Sequence, residues 1–552
     1  MAEDHLLVPL RNLAPLRCHA LTVAIRGFAQ YGPVPPTACQ AARMRRPPAI
    51  MLIAALTAAL AAALLTGPGV ATATPAANGA ASDAKRGTIT WGECPEEGFA
   101  GFECGVLTVP LDWDNLTNPA NAEIALTVKR ATGKSRGHLS FNPGGPGESG
   151  MASAPAIWGE LPRQVQQRFD WVGWDPRGVG LSQPQLTGCI TADTQARSAP
   201  YEPPATGPVD WQAYTESYAA SMAPGIAECL EINKDVAPYL GTYYVIRDLE
   251  AMRVALGAPK WNFWGMSYGT RIGYRYAREY PDKVRTLILD GSWSPNMTVS
   301  TWAGGSTWSW ATVQQVFASI HGKEMGARLQ RVIDGLDKRT ITVEGTELSR
   351  WAILPAIFTN ISYQTSYPDI LAVITEVDEA LKGNEPGAIL KPLRALQRRA
   401  AEDQSAQLNI FYINCRDMAG YPTIDQIARA AYTADLNQSV YAGQTAMQKG
   451  AFCAGIPEDF TYGYEPLNEP LVLPTAPVVI NSLGDTRTEY VFGRNMSTFM
   501  AGSSLITYDG TQHVTYLQTP SRCVNDAVTR YLIHRTQPGP LLCPYAPLPS
   551  TD

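Results

Sequence analysis

From residue 87 onward, short apolar runs alternate with segments of helical period. Runs rich in Val, Ile, Leu, Phe and Trp fall at 104–111, 123–130, 138–142, 171–175, 261–264, 284–289, 476–482 and 504–508. Several end in Gly, Asp or Asn, as buried parallel strands do. Apolar residues recur at helical spacing over 245–256, 268–280, 490–500 and 521–536. This strand–helix alternation predicts α/β architecture with a doubly wound, mostly parallel sheet.

The alternation breaks between about 295 and 469. Trp302, Trp308 and Trp310 open that stretch, helical segments of mixed charge follow at 324–336 and 370–381, and strand character returns only after the Pro-rich 465–477. The pattern predicts a largely helical cap at 296–469, inserted between two parts of one core, 87–295 and 470–552. There is no internal repeat.

Residues 1–73 follow another logic. Met44-Arg45-Arg46 precedes an uncharged Ala/Leu-rich run at 49–65, then Gly67-Pro68-Gly69 and Ala71-Thr72-Ala73. A charged n-region, an apolar h-region and an A-x-A-like site predict export with cleavage, followed by a flexible linker at 74–86. Met44 is a candidate start, with a long n-region as the alternative. A membrane anchor is the competing reading, but Gly-Pro-Gly ends the run without a cationic stop-transfer flank. The expectation is a secreted or cell-surface-associated protein, with no stable membrane insertion after cleavage.

Composition sharpens this picture. Hydrophobic residues make up 45% of the 552 and charged residues 17%, enough to bury a large core and too apolar for a disordered chain. Net charge is −6, and the leader holds six Arg against two acids, so the remainder stands at −10. Such a chain lacks the basic excess of a nucleic-acid binder. The leader also removes Cys18 and Cys39, leaving Cys94, Cys104, Cys189, Cys229, Cys415, Cys453, Cys523 and Cys543. An even count in an exported chain predicts four disulfides, and pairing in sequential order closes the shortest loops. A zinc site would need ligand spacing that these residues lack, so no metal is expected. No cofactor is expected either, and the chain is taken as a monomer.

The sharpest chemical signal is Gly265-Met266-Ser267-Tyr268-Gly269, a G-x-S-x-G between a predicted strand and a predicted helix. A turn this tight strains its central residue, and small neighbours relieve the crowding and expose the Ser267 hydroxyl. Asn142-Pro143-Gly144-Gly145-Pro146-Gly147-Glu148-Ser149-Gly150 follows another strand. Its glycines allow close backbone approach, so Gly145 and Tyr268 are the expected oxyanion donors. A phosphate loop is excluded because no Gly-Lys-Ser/Thr follows. Of the histidines beyond the leader, His138 precedes the nucleophile, His321 falls in the cap and His534 in the last helix. His513 lies in a loop after a strand and is the expected base. Asp485, 28 residues earlier and also past a strand end, is the expected orienting acid. Trp174-Asp175-Pro176-Arg177-Gly178 follows a further strand, and Asp175 and Arg177 are expected to pair with each other beside the oxyanion site. Gly144, Glu148, Asp417 and Thr488 are candidate substrate contacts. Glu148 and Asp417 are singled out because a free α-ammonium asks for a carboxylate.

These motifs resemble the α/β-hydrolase family of prolyl aminopeptidases, in particular its secreted tripeptidyl-aminopeptidase branch. The likeness is carried by Cys104-Gly-Val-Leu-Thr-Val-Pro-Leu-Asp112, Asn142-Pro-Gly-Gly-Pro-Gly147, Trp174-Asp-Pro-Arg-Gly-Val-Gly180, Gly265-Met-Ser-Tyr-Gly269 and Ser521-Arg-Cys523. It implies an α/β-hydrolase fold, a Ser267–Asp485–His513 triad and peptide substrates cleaved from free N-termini. Two positions depart from the pattern. The family reads Asp-Pro-x-Thr-Pro after the acid, whereas this chain reads Asp485-Thr-Arg-Thr-Glu489, and Thr511-Gln512 stand where small residues usually precede the histidine. A carboxylesterase or lipase-like hydrolase with the same triad is the alternative. An inactive surface-binding protein is a minor one.

Overall fold

A computed structural model describes residues 87–549, apart from 96, 188, 190–200, 406–407, 452 and 465–468. The expected export segment and linker at 1–86 lie outside the described residues. Among the described residues, no helix is long and apolar enough to cross a membrane.

The main sheet has ten strands in the order β1-β2-β3-β5-β4-β6-β7-β10-β11-β12. In chain order these are β1 (Thr88–Gly92), β2 (Glu103–Pro110), β3 (Asn121–Lys129), β4 (His138–Asn142), β5 (Asp170–Trp174), β6 (Trp261–Met266), β7 (Val284–Asp290), β10 (Val478–Ser482), β11 (Ser504–Tyr508) and β12 (Leu541–Cys543). A separate hairpin pairs β8 (Ile341–Val343) with β9 (Thr346–Leu348). The first three strands of the main sheet run antiparallel, and β4, β5, β6, β7, β10, β11 and β12 are mutually parallel. Every residue of β4, β5, β6 and β10 is buried. Both sheet faces are therefore covered, which is why these strands read as unbroken apolar runs. Period two is still visible in what each residue touches. Trp261, Phe263, Leu287, Leu289 and Val479 pack in one cluster, while Trp264, Met266, Ile288, Val478 and Ile480 pack in another.

The strand order reverses about β4, with β5 on one side and β6 on the other. In doubly wound sheets the crevice at such a switch point is where ligands bind. The loops after β4 and β6 both open there.

Between β7 and β10 the chain is mostly helical, from Val299–His321 to Val440–Ala451. These helices share a hydrophobic cluster that includes Val313, Phe317, Ile333, Ile357, Ile374 and Met447. Helix Trp211–Ile232, which precedes the nucleophile in sequence, joins it: Trp211 is buried in that cluster and its indole N–H donates to Asp435 at 2.9 Å. Four disulfides join Cys94–Cys104, Cys189–Cys229, Cys415–Cys453 and Cys523–Cys543, the sequential pairing.

Candidate active site

β6 ends at Met266 and helix Gly269–Glu279 begins at once. Ser267 turns the chain between them at φ +51°, a left-handed conformation that strains a residue with a Cβ. The flanking glycines are required by contact. A Cβ on Gly265 would lie 2.3 Å from the Gly269 carbonyl oxygen, and one on Gly269 would lie 2.5 Å from that of Asn142. The Ser267 N–H donates to the Asp290 carbonyl at 2.9 Å, and the Ser267 carbonyl accepts from Thr270 N at 2.9 Å and Thr270 Oγ1 at 2.6 Å. The turn is thus held from both sides, and the Ser267 side chain remains partly exposed.

Asn142 and Gly265 are register partners across β4 and β6, so the glycine loop emerges beside the elbow. Gly144 adopts φ +113° and Gly145 φ +95°. A Cβ on Gly144 would come within 2.8 Å of both Met266 O and Ser267 Cβ, and within 3.4 Å of Tyr268 N. Only a bare backbone can lie this close to the nucleophile and the amide that follows it. Glu148 sits further along the loop, exposed.

Asp485 and His513 leave the neighbouring strands β10 and β11. His513 Nδ1 lies 2.9 Å from Asp485 Oδ2 and 3.1 Å from Oδ1. Oδ1 also accepts the N–H groups of Arg487 at 2.8 Å and Thr488 at 3.0 Å, and Oδ2 accepts the Thr488 hydroxyl at 3.0 Å. A carboxylate can only accept, so this pattern assigns the proton to Nδ1 and leaves Nε2 as the acceptor. Thr488 Oγ1 is 3.4 Å from His513 Nδ1, so this candidate substrate contact sits at the Asp485–His513 junction. Gly291 backs the imidazole, because a Cβ there would stand 3.0 Å from His513 Cε1.

One acid at this site escaped the sequence reading. Asp290 ends β7, its carbonyl receives the Ser267 N–H, and its carboxylate accepts Thr515 N at 3.0 Å and Tyr516 N at 2.8 Å. It therefore ties the elbow to the loop that carries His513. The available signal was a carboxylate closing an apolar strand, Val-Arg-Thr-Leu-Ile-Leu-Asp. Burial pushes its carboxyl from 3.8 up to about 6, against the opposing pull of the two backbone N–H groups, the Thr515 hydroxyl and His513. The folded chain thus binds this proton more readily than the unfolded one. As pH rises from about 4 to 6 the buried charge costs stability, by about 3 kcal/mol in total, and the cost is constant above that window. Asp290→Asn removes the titration. Calorimetric unfolding should show the variant-minus-wild-type stability shifting in the variant's favour by about 2 kcal/mol from pH 4 to 7. A difference flat with pH would contradict the assignment.

Other expected residues lie elsewhere. Arg177 does not pair with Asp175. It forms a fully buried, two-pronged ion pair with Asp248, at 2.7 and 2.6 Å. Asp175 instead accepts the Ser149 hydroxyl at 2.6 Å, Met151 N at 3.0 Å and Leu181 N at 2.9 Å, holding the helix that follows the glycine loop. Asp417 is enclosed at 8% exposure. It accepts Thr242 N at 2.9 Å and Thr242 Oγ1 at 2.5 Å, with Arg271 at 3.7 Å. Because Thr242 gives its proton to Asp417, the Tyr268 hydroxyl must donate to Thr242 Oγ1, at 2.7 Å. Asp417 therefore braces the residue next to the nucleophile from behind. Glu489, which stands where the family pattern has proline, is buried and paired at 2.8 Å with Lys449 of helix Val440–Ala451.

A doubly wound sheet, a strained serine beside its switch point and an Asp–His pair on loops two and three strands away have the arrangement of a serine hydrolase of the α/β class. Residues 137–329 match the alpha/beta hydrolase fold family and residues 438–541 the family described as TAP-like protein. The serine protease Hip1 of Mycobacterium tuberculosis is 31% identical over 463 residues, covering 79% of this chain and 86% of that one. A tripeptidyl aminopeptidase of Streptomyces lividans is 33% identical over 230 residues, 39% of this chain and 40% of that one. Carboxylesterase B of Mycobacterium tuberculosis is 28% identical over 490 residues, 81% of this chain and 88% of that one. The chain belongs to the TAP-like α/β-hydrolase family.

Proposed function

We propose that this protein is an exported serine aminopeptidase that releases short peptides from free N-termini through an acyl-enzyme on Ser267. The observation that carries the reading is the 2.9 Å contact between His513 Nδ1 and Asp485, on strand ends beside the Ser267 elbow. In this mechanism His513 Nε2 takes the Ser267 proton as Oγ attacks the peptide carbonyl. Asp485 holds the imidazole in the acceptor tautomer and stabilises the imidazolium. The Gly145 and Tyr268 N–H groups receive the oxyanion, each worth about 3 kcal/mol of barrier. His513 returns the proton to the leaving amine, and water then resolves the ester by the same route in reverse.

Exit from the cytoplasm agrees with four disulfides and with the n-, h- and cleavage-region pattern of the leader. Of the two carboxylates considered for the substrate ammonium, Asp417 is enclosed by Thr242 and Arg271, whereas Glu148 is exposed on the glycine loop. The ammonium role is therefore assigned to Glu148.

The test compares a chromogenic tripeptide amide with its N-acetylated form and with a simple ester. Acetylation should lower kcat/KM by about 10- to 100-fold, the scale of a lost charge-assisted contact. Equal turnover of both amides would remove the aminopeptidase claim. Turnover of the ester alone would support a carboxylesterase, a reading favoured by the similarity to carboxylesterase B.

A further inference from the structure

Helices Arg350–Asn360 and Tyr367–Lys382 of the helical insertion are joined by a short connector, 361–366. Ile361 and Ser362 are fully buried there, and Gln364 and Ser366 nearly so. A connector normally runs over the surface, because a buried one must find partners for its backbone. This connector finds them on the two loops that carry Asp485 and His513.

The Ser362 carbonyl accepts the N–H of His513 itself at 2.8 Å. The Ser362 hydroxyl accepts the N–H of Thr486, the residue after Asp485, at 3.2 Å, and lies 2.5 Å from Thr486 Oγ1. Thr511 Oγ1 donates to the Ile361 carbonyl at 2.5 Å, and Gln364 N donates to Gln512 Oε1 at 3.0 Å. Arg487 reaches back to the Thr359 carbonyl at 3.2 Å. At their roots the two loops also bond each other, through Gly484 N to Gly510 O at 2.9 Å. Beyond the roots, Ser362 meets both: its backbone holds His513 and its side chain holds the turn of Asp485.

We infer that Ser362 is a positioning residue for the reaction. The inference rests on Asp485 and His513 acting as acid and base. Its physical basis is that a side chain misplaced by about 1 Å can cost 100-fold in rate even when the substituted residue never touches substrate. With the Ser362 hydroxyl gone, Thr486 N–H loses its acceptor in a buried place, and the Asp485 turn relaxes away from His513.

Four variants test this on the full chain with the tripeptide amide: Ser362→Ala, Thr486→Val, Thr486→Ser and the double Ser362→Ala/Thr486→Val. Ser362→Ala should lower kcat at least tenfold with KM within twofold. Thr486→Val removes only the hydroxyl pair and leaves the Thr486 N–H on the Ser362 hydroxyl, so it should lower kcat by less than Ser362→Ala but at least threefold, and Thr486→Ser, which keeps the hydroxyl, should retain kcat within twofold. The double variant should be no slower than Ser362→Ala, because that substitution already removes the hydroxyl pair that Thr486→Val removes. Should Ser362→Ala fail to fold, the Thr486→Val and Thr486→Ser pair decides alone. Unchanged kcat, an effect confined to KM, or equal damage from Thr486→Ser would each overturn the inference. Ser267→Ala separates it from the reading beneath. Survival of activity in that variant removes the triad, whereas its loss together with an unaffected Ser362→Ala removes only the role of Ser362.

Discussion

Ser267→Ala is expected to lower kcat by about 10⁵-fold, some 7 kcal/mol of barrier, with little change in fold stability. The size follows from what the hydroxyl does. Without Oγ there is no covalent intermediate, and His513 is left with no proton to take. What survives is the background that the oxyanion donors and substrate positioning can give a water nucleophile. The fold should tolerate the change because the strain at φ +51° belongs to any residue with a Cβ, and alanine bears it much as serine does. The surrounding bonds, from Ser267 N to Asp290 O and from Thr270 to Ser267 O, involve backbone atoms of residue 267 that alanine keeps. Two measurements check it together: steady-state turnover of the tripeptide amide, and mass labelling by a fluorophosphonate. Wild type should take up one phosphonyl group and the variant none. Labelling at another residue in the variant would show that the nucleophile lies elsewhere.

What could be read from the chain divides along a physical line. Features imposed by backbone geometry were legible. Gly265 and Gly269 had to be small because Gly269 O and Asn142 O stand where their side chains would be, and that demand shows in the sequence as G-x-S-x-G. The parallel strands were legible because burial on both faces leaves no polar position in Val478–Ser482 beyond its Asn and Ser end. Asp485 and His513 were legible because each follows such a strand. Partnerships chosen in three dimensions were not. Nothing local tells Arg177 to reach Asp248 instead of Asp175 two residues away, because its buried fork needs a carboxylate facing it across the packing interface. Helix Trp211–Ile232 was missed because Pro224 and a run of Ala, Ser and Gly blur its period, and its attachment to the insertion depends on Trp211 and Asp435, 224 residues apart. The outermost strands were short or wet. β12 has three residues, and β1 is exposed at four of its five positions. Ser362 belongs to no motif at all, since a serine acquires meaning there only when a buried connector is pressed against two loops.

The insertion accordingly does two kinds of work near the elbow. Asp417, on helix Leu408–Asp417, orients the Tyr268 hydroxyl through Thr242, and the 361–366 connector holds the loops of Asp485 and His513. Two separate parts of the insertion thus reach different members of the site, Asp417 the neighbour of Ser267 and the connector the loops of Asp485 and His513. A helical layer that only shielded substrate would have no reason to supply buried polar groups at these points.

Asp485→Asn should be nearly as damaging as losing the nucleophile, with kcat down about 10⁴-fold. The size of the loss depends on which way the new amide must face. Oδ1 of the carboxylate accepts two backbone N–H groups, from Arg487 and Thr488, and neither can turn away. The asparagine NH₂ cannot occupy that side without opposing two donors at once. It must take the Oδ2 side, where Thr488 Oγ1 can rotate to accept but His513 Nδ1 can do so only by giving up its proton. This favours the tautomer with hydrogen on Nε2, which cannot take a proton from Ser267, because the amide on the nearer Oδ2 side opposes a hydrogen on Nδ1. Asp485→Ala imposes no such choice, because it leaves Nδ1 without a partner and both tautomers open. The closer mimic in shape should therefore be at least as slow as the alanine variant, and this ordering is the distinctive outcome. Nitrogen-15 shifts of the His513 ring should show the exchange of protonated nitrogen in Asp485→Asn. Turnover within tenfold of wild type, or an unchanged tautomer, would mean that another group orients the histidine, and Asp290, bonded to the N–H groups of Thr515 and Tyr516 just beyond it, would be the next to replace.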